Sequence, residues 1–326
     1  MVYMCRTVDL ELDDLFSHVA AIALDGPKAV GKTTTAAQRA AGIMNLDRPA
    51  ERVPLEADPG LLLSRPRPLL IDEWQNVPEV WDVVRHAADR DPSGGQFLLA
   101  GSATPRAGAT AHSGAGRIGR LRMRPMTLEE RGVGEPAVSL THLLEGGREQ
   151  LHGQTDVGLS RYVEEILASG FPALRSLSGR ARRFQLDSYL RNAVDRDVPE
   201  QGLAVRRPDA LMAWLRAYAA ATSSTAGYSQ ILDAAPPGQG DKPARSTADG
   251  YRRVLESLWL LDPVPAWELG GSQFTRLARS PKHHLADPAL AARLLGLNEA
   301  KLLGTGGGSV GPEERAVLGS MFESLA

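Results

Sequence analysis

The sequence predicts an α/β fold in which a parallel β-sheet is flanked by helices. A glycine-rich segment, residues 26–33, lies between a short apolar run and a stretch of helix-forming residues. Two further apolar runs, 69–71 and 96–100, are short enough for buried strands, and each is followed by polar residues. Apolar strands that alternate with helical segments favour a parallel sheet.

The first element pair surrounds a phosphate-binding loop. Residues 26–33 read Gly-Pro-Lys-Ala-Val-Gly-Lys-Thr, a complete Gly-x-x-x-x-Gly-Lys-Thr loop (P-loop). Val19–Leu24 predicts a strand before it, and Lys32–Met44, rich in Ala, Gln and Arg, predicts a helix after it. Glycines let backbone N–H groups surround phosphate oxygens at the start of that helix. The residues predicted to bind a nucleotide are Gly26, Pro27, Lys28, Ala29, Val30, Gly31, Lys32, Thr33 and Thr34.

An acidic pair follows the second apolar run. Leu69–Ile71 predicts a strand, and Asp72 and Glu73 come at its carboxyl end. Such a site needs an acid near the magnesium ion and a group that activates water. We predict that Thr33 and Asp72 hold Mg²⁺, that Glu73 is the catalytic base, and that Lys32 reaches the terminal phosphates of ATP.

Ser102 follows the third predicted strand, Gln96–Ala100. Its hydroxyl is predicted to lie beside the γ-phosphate and to orient the hydrolytic water, which makes Ser102 a third candidate catalytic residue. A capped turn over Ser102–Pro105 is an equal alternative for this segment.

Basic and apolar residues alternate over Arg120–Arg124, as in a strand with one buried face. The arginines favour a position for this strand at a solvent-exposed edge of the sheet. The alternative is that one of them, or Arg117, contacts phosphate across a subunit interface as an arginine finger.

Helical periodicity dominates the rest of the chain, over 79–88, 159–168, 180–198, 209–221, 228–235 and 247–258. Residues 259–267 predict a strand and a turn. Glycine-containing breaks near residue 150 predict the end of the nucleotide domain. We predict a nucleotide domain at 1–150, a helical lid at 151–204 and a winged-helix-like domain at 205–303.

The winged-helix-like region has two possible partners. Tyr251, Arg252 and Arg253 lie on its third helix, where they are available to touch a DNA backbone. The basic cluster is small and the segment Pro236–Pro243 is long for a DNA-reading turn, so protein contact or a lid role is favoured.

Two other groups of residues do not favour a separate site. His283, His284 and Asp287 lack a suitably spaced fourth metal ligand, and Asp287 is predicted to shape the turn before Pro288. Glu299 and Lys301 fall on one amphipathic helix ending near Gly304, without the strands of a magnesium nuclease.

Composition predicts a cytoplasmic protein. The chain has 326 residues, 43% of them hydrophobic, one cysteine (Cys5) and a net charge of −2. Neither a disulfide framework nor a membrane span or secretion signal is visible. The net charge provides no general electrostatic case for nucleic-acid binding.

These motifs resemble a prokaryotic AAA-superfamily ATP-binding protein, a P-loop ATPase domain followed by a winged-helix region and, in many members, a nuclease-like module. The resemblance rests on 26–33, on Leu-Ile-Asp-Glu-Trp-Gln at 70–75, on Leu-Leu-Ala-Gly-Ser at 98–102 and on Arg-Pro-Met-Thr-Leu-Glu-Glu at 124–130. Softer similarities at 169–172, 189–197 and 284–290 extend it along the chain. Trp74 departs mildly from the aliphatic residue expected there.

The resemblance implies an AAA-type sheet and ATP hydrolysis through Lys32, Thr33, Asp72 and Glu73. It also implies that 304–326 is a Gly-rich linker and the start of a truncated or absent C-terminal module. The leading hypothesis is a magnesium-dependent ATPase that moves the lid and winged-helix region, in a homo-oligomer or against a protein or DNA partner. The alternative is a nucleotide-gated binding module with little turnover. A small-molecule kinase is a weaker hypothesis, because no sequence motif indicates a pocket for an acceptor substrate.

Overall fold

The computed structural model describes residues 3–102, 115–134, 138–147, 153–235, 243–267, 280–304 and 312–326. The chain forms two compact units, each assembled from three segments. The first comprises Met1–Arg124, Arg191–Met212 and Gly238–Asp262, and the second comprises Pro125–Leu190, Ala213–Pro237 and Pro263–Ala326.

A five-stranded parallel sheet organises the first unit, as the apolar runs predict. Its strands are β1 (Ala21–Asp25), β2 (Gly42–Asn45), β3 (Leu69–Asp72), β4 (Phe97–Gly101) and β5 (Ile118–Arg122), in the order β2-β3-β4-β1-β5. The register pairs Ala21 with Phe97 and Leu69 with Phe97, so β1, β3 and β4 begin together and end within one residue of each other. Their carboxyl ends therefore place the P-loop, Asp72 and Ser102 at one edge, where ligands bind in open parallel sheets.

Helices cover both faces of this sheet. They are α1 (Thr7–Phe16), α2 (Lys32–Ala37), α3 (Pro49–Ala57) and α4 (Glu79–Arg90), with 3₁₀ turns at Pro59–Ser64 and Trp74–Asn76. On one face the ring centroids of Trp74 and Trp81 lie 4.7 Å apart among buried aliphatic side chains. On the other face Leu12 and Phe16 of α1 pack on Ile22. Full burial of one such side chain contributes roughly 1.5–3 kcal/mol to the free energy of folding. The packing on both faces therefore stabilises the sheet whose carboxyl ends carry the P-loop, Asp72 and Ser102.

The predicted helix over Lys32–Met44 is wrong in its second half. Helix α2 ends at Ala37, and Gly42–Asn45 forms the edge strand β2, paired with β3. A side chain at Gly42 would meet the carbonyl oxygen of Pro66 at 2.8 Å, which explains the glycine there. Ile43 is 54% exposed, so β2 lacks the continuous apolar pattern that marked the inner strands.

The remaining helices are α5 (Leu140–Leu144), α6 (Leu159–Ala168), α7 (Pro172–Arg175), α8 (Gly179–Asn192), α9 (Val198–Glu200), α10 (Pro208–Ala220), α11 (Tyr228–Ala234), α12 (Arg245–Ser257), α13 (Pro288–Leu294), α14 (Glu299–Leu303) and α15 (Pro312–Leu325). A π-helical turn, Ala193–Asp197, links α8 to α9. The predicted helical segments are therefore confirmed with end shifts of one or two residues, except that the segment over 180–198 contains this turn.

Buried ion pairs tie the second unit together. Glu165 is 1% exposed, and its carboxylate meets Arg175 at 2.7 Å, Arg161 at 2.8 Å and Arg131 at 3.3 Å. These hydrogen-bonded arginines hold the pKa of Glu165 below its usual value although burial opposes this. A buried acid held by several guanidinium groups gives the loop around Arg131 a fixed position.

Asp287 caps α13, in agreement with its predicted turn role. It is completely buried and accepts hydrogen bonds from the backbone N–H groups of Ala289 at 2.8 Å and Gly170 at 2.5 Å. His283 is also completely buried, and its ring contacts the Ala226 carbonyl at 2.7 Å. Both residues therefore organise the interior of the second unit.

The winged-helix-like region stays a prediction. Its three helices are present as α10, α11 and α12, but strand pairing among its described residues is limited to isolated bridges, such as Val264 with Lys282. Residues 268–279, between these partners, lie outside the described residues. Tyr251 is 4% exposed and offers little surface to a partner, so the predicted DNA contact of Tyr251, Arg252 and Arg253 stays a prediction.

Candidate functional site

The P-loop adopts a curled backbone between β1 and α2. Gly26, Ala29 and Gly31 have φ angles of 151°, 65° and 109°. A side chain at Gly26 would meet the Met123 carbonyl oxygen at 2.2 Å, so the loop starts where only glycine fits. A glycine-rich loop with positive φ angles can turn its backbone N–H groups toward a bound anion, so this backbone is compatible with phosphate binding. The predicted strand–loop–helix context is confirmed.

Lys32 lies inside this loop. Its ammonium group donates hydrogen bonds to the carbonyl oxygens of Gly26 at 2.7 Å and Pro27 at 2.8 Å, and the residue is 6% exposed. Burial lowers the pKa of Lys32 to about 8, although the nearby carboxylates of Glu73 and Asp72 act in the opposite direction. An added polyphosphate would favour the charged form of this amine.

Thr33 and Asp72 meet at the centre of the site. The Thr33 hydroxyl donates to Asp72 Oδ1 at 2.7 Å, and Asn45 Nδ2 lies 3.3 Å from Asp72 Oδ2. Burial raises the pKa of Asp72 above its usual value. The proximity of these two oxygens fits Mg²⁺, which takes one or two protein oxygens and completes its shell with water and phosphate.

Glu73 is held beside this pair in a strained conformation. Its φ and ψ are 52° and 43°, and its carboxylate accepts hydrogen bonds from the Ser102 hydroxyl at 3.0 Å and from the Gln75 amide. A left-handed backbone conformation destabilises a non-glycine residue by roughly 1–3 kcal/mol, and residues in such conformations cluster at functional sites. Two neutral donors fix the orientation of the carboxylate, which suits a base.

Ser102 is 1% exposed at the end of β4. The structure brings it to Glu73, so its hydroxyl is connected to the acid predicted to activate water. The alternative turn over Ser102–Pro105 includes 103–105, which lie outside the described residues.

The arginines around β5 are paired within the first unit. Arg117 contacts Asp89 at 2.7 Å and Arg120 contacts Asp25 at 2.7 Å. Asp262 receives both Arg122 at 2.9 Å and Arg124 at 2.8 Å. These pairs agree with a polar sheet edge, and the arginine-finger alternative stays a hypothesis.

Four neighbours of the site were missed in the sequence analysis. Asn45 lies on the unpredicted strand β2, and Gln75 stands two residues beyond Glu73 within the motif already noted. Arg6 donates to the P-loop carbonyl of Val30 at 2.9 Å. Asp197 pairs with Lys28 at 2.5 Å. Only Gln75 could have been recognised from the sequence, since it lies inside the motif at 70–75. The other three residues come from distant segments of the chain.

Comparisons with known proteins agree with this geometry. A family model described as an AAA domain matches residues 18–131, and one described as a domain of unknown function, DUF8612, matches residues 159–301. Uncharacterised proteins of Mycobacterium bovis and Mycobacterium tuberculosis are each 28% identical over 288 residues. That alignment covers 85% of this chain and 56% of each relative, so the chain spans little more than half of their length.

A solved structure, the Walker-type ATPase PABY2304 of Pyrococcus abyssi, has the same fold. It superposes with a TM-score of 0.52 and 16% identity, covering 90% of this chain and 96% of that protein. In the described part of the chain, no helix combines the length and apolar character needed to cross a bilayer. The parallel sheet, the P-loop and the matching family model together identify residues 18–131 as an AAA-type P-loop domain.

Proposed function

We propose that the protein hydrolyses ATP with Mg²⁺ and couples the cycle to movement of its lid and winged-helix-like regions. The observation that carries this proposal is the arrangement at the sheet edge: the Thr33–Asp72 contact of 2.7 Å beside Glu73, whose carboxylate is held by Ser102 at 3.0 Å. A metal-ligand pair and an oriented base are the two parts that hydrolysis requires beyond binding.

Each side chain has a defined task. The P-loop N–H groups and Lys32 bind the β- and γ-phosphates and offset charge that develops on the leaving oxygen. Thr33 and Asp72 would hold Mg²⁺, which supplies Lewis-acid stabilisation of phosphate charge when bound. Glu73 accepts a proton from the water whose oxygen attacks the γ-phosphorus, and ADP leaves as the phosphorus–oxygen bond breaks.

Coupling to the lid is supported by a contact of the P-loop itself. Lys28 pairs with Asp197 at 2.5 Å and approaches Glu200 at 4.0 Å. Both acids belong to the region 151–204 that the sequence predicts as a lid, and they lie in the same compact unit as the loop. Phosphate binding at the loop would therefore change the electrostatic environment of this segment. In this proposal, a protein or DNA partner binds through the winged-helix-like region.

Steady-state phosphate release from Mg·ATP tests the proposal, with and without duplex DNA. Lys32→Ala is expected to lose binding and turnover, whereas Glu73→Gln is expected to lose turnover and keep ATP binding. Glu79→Gln is the matched control, because Glu79 is an exposed acid six residues further along the chain. Turnover that survives in Glu73→Gln would contradict the assigned base.

The alternative function is a nucleotide-gated binding module with little turnover. The buried P-loop lysine and the Lys28–Asp197 contact serve such a switch equally well. Tight ATP binding by the native chain, without phosphate release above the Glu73→Gln level, would select this alternative. Stimulation of release by DNA would instead identify DNA as the partner of the ATPase.

A further inference from the structure

Trp74 occupies a position in the motif at 70–75 where an aliphatic residue is expected. The side chain is 2% exposed, and its ring lies 4.7 Å from that of Trp81 among buried apolar side chains. An aliphatic residue could fill such a space, but it would bring no polar atom. A buried N–H group is destabilising unless it is paired, so the indole nitrogen of Trp74 calls for an explanation.

Two buried polar atoms of opposite character adjoin Gly101 at the end of β4. They are Nε1 of Trp74 and Oε1 of Gln75, and neither forms a hydrogen bond with any residue that the structure describes. The indole nitrogen can only donate, and the amide oxygen can only accept. A Cβ atom on Gly101 would lie 2.8 Å from the nitrogen and 2.7 Å from the oxygen, so both atoms lie against the same point above the glycine backbone.

The amide of Gln75 connects this pair of atoms to the predicted base. Its nitrogen, Nε2, donates a hydrogen bond to Oε2 of Glu73. A carboxylate only accepts, which fixes the nitrogen as the amide atom on that side and leaves the oxygen toward Gly101. The last side-chain torsion of glutamine is broad, so an amide whose oxygen is unpaired can turn and weaken its contact with the carboxylate. A donor on the oxygen would hold the whole amide plane.

The indole N–H of Trp74 is the donor in the right place. We propose that Trp74 is a positioning residue for hydrolysis: with nucleotide bound, its N–H pairs with Gln75 Oε1 and so keeps the amide nitrogen on Glu73. This role rests on the proposed function, because Glu73 acts as a base only in that reaction. Hydrogen bonds around catalytic groups are often long or poorly aligned without substrate and tighten in the complex. Gly101 leaves the space in which the two atoms meet.

Trp74→Phe tests this role, because phenylalanine keeps a buried aromatic ring and lacks the N–H group. Single-turnover phosphate release is expected to slow about threefold to tenfold, the effect of losing one neutral hydrogen bond. The dissociation constant for ATP, measured by calorimetry, is expected to stay unchanged because the P-loop is untouched. An unchanged rate of release, or a loss of ATP affinity with a normal rate, would overturn the proposal.

Trp81→Phe is the matched control. Trp81 is 3% exposed in the same apolar cluster, and its indole nitrogen is likewise buried without a hydrogen bond to the described residues. Both variants lose similar packing, so a difference in rate between them does not arise from stability. Native-like release by Trp81→Phe is expected. Equal slowing in both variants would assign the effect to packing and overturn the proposal.

Gly101→Ala disturbs the same pair of atoms without changing either of them. The methyl group would lie against both atoms, so release is expected to slow by about tenfold or more while ATP affinity is kept. Gly119→Ala is the control, since its nearest new contact is at 3.7 Å. The double variant Trp74→Phe/Gly101→Ala is expected to be no slower than Gly101→Ala alone, because both changes break one arrangement. Losses that multiply would contradict a shared role.

Tryptophan emission provides a readout that does not depend on turnover. A non-hydrolysable ATP analogue is expected to shift the emission to longer wavelength, as the indole N–H gains a partner, in the native and Trp81→Phe proteins. The shift is expected to be absent from Trp74→Phe and from Gln75→Met, which lacks the acceptor oxygen. A shift that persists in Gln75→Met would overturn the pairing.

These readouts distinguish failure of this role from failure of the proposed function. If the native chain binds the analogue and shows the shift but releases no phosphate from ATP, hydrolysis is contradicted and the pairing of Trp74 with Gln75 is supported. If phosphate release is normal in the native, Trp74→Phe and Gly101→Ala proteins, hydrolysis is supported and the positioning role is overturned.

Discussion

Lys28 of the P-loop donates a hydrogen bond to the carboxylate of Asp197 at 2.5 Å, across 169 positions of sequence. Asp197 ends the π-helical turn Ala193–Asp197, and π-turns are rare and occur frequently at functional sites. The lysine is 45% exposed and the aspartate 16%, so solvent weakens the pair without removing it. A negatively charged phosphate at the loop would compete with Asp197 for Lys28.

Asp197→Asn is therefore expected to tighten ATP binding. An exposed ion pair is worth up to about 1 kcal/mol, so the dissociation constant should fall by roughly twofold to fivefold. Calorimetric titration of the variant measures this change. Asp195→Asn is the control, because Asp195 is an exposed acid in the same turn and undergoes the same change of charge. An equal effect in the control would show that net charge, not the Lys28 contact, is responsible.

ATP affinity is expected to decrease as pH rises through 8. Burial lowers the pKa of Lys32 to about 8 in the free protein, and only the charged amine attracts phosphate. The dissociation constant should increase by up to about tenfold per pH unit above that value. Lys32→Arg supplies the control, since a guanidinium group does not titrate in this range. A similar slope in the arginine variant would exclude Lys32 as the titrating group.

Lys32 also makes the stability of the protein depend on pH. ATP affinity is expected to fall as pH rises, whereas the free energy of unfolding is expected to rise. An unfolded lysine keeps its proton up to about pH 10.4, whereas folded Lys32 releases it near pH 8. The unfolded state therefore binds more protons between these values, and the Lys32 contribution to the free energy of unfolding rises with pH there. Urea titrations of the native and Lys32→Met proteins at pH 7.5 to 10, without nucleotide, measure the difference. A flat difference would contradict the lowered pKa.

Ser102→Ala is expected to slow hydrolysis without weakening ATP binding. The hydroxyl is one of two donors that orient the Glu73 carboxylate, and hydrogen bonds to charged groups contribute about 1.5–3 kcal/mol. We expect kcat to fall by about tenfold or more, with an unchanged dissociation constant for ATP. Single-turnover phosphate release and calorimetry separate the two quantities. A loss of ATP affinity with normal kcat would assign Ser102 to nucleotide binding instead.

Gly26→Ala is expected to disrupt the loop. The new methyl group would meet the Met123 carbonyl oxygen at 2.2 Å, and φ is 151°. Strain and overpacking together should cost at least about 2 kcal/mol of unfolding free energy and abolish ATP binding. Gly119→Ala is the control, because a methyl group there makes only ordinary contacts, the nearest at 3.7 Å. Urea denaturation of both variants measures the loss of unfolding free energy. Similar losses in Gly26→Ala and Gly119→Ala would contradict this prediction.

The inner strands and the P-loop were predictable because their signals are local. Continuous apolar runs mark β1, β3 and β4, and the two acids, Asp72 and Glu73, directly follow the apolar run of β3. The edge strand β2 was not predictable, since half-exposed Ile43 and the helix-forming residues before it obscure the pattern. Its register on β3 brings Asn45 to Asp72, and that contact depends on pairing between distant segments.

Contacts over long sequence separations account for what the sequence could not reveal at the site. Arg6, Asn45 and Asp197 reach the P-loop or its acid from three separate segments. The burial of Tyr251 likewise follows from packing that a helical period alone does not specify. Domain limits near 150, 204 and 303 stay predictions.

The double contact of Asp262 with Arg122 and Arg124 has a consequence for biosynthesis. Arg124 emerges from the ribosome 138 residues before Asp262, a delay of roughly 7–28 s at ordinary rates of translation. During that interval Arg122, at the end of β5, and Arg124 lack the carboxylate that they contact in the folded chain. The nascent chain therefore completes its first unit only after the first two segments of the second unit, Pro125–Leu190 and Ala213–Pro237, have been synthesised.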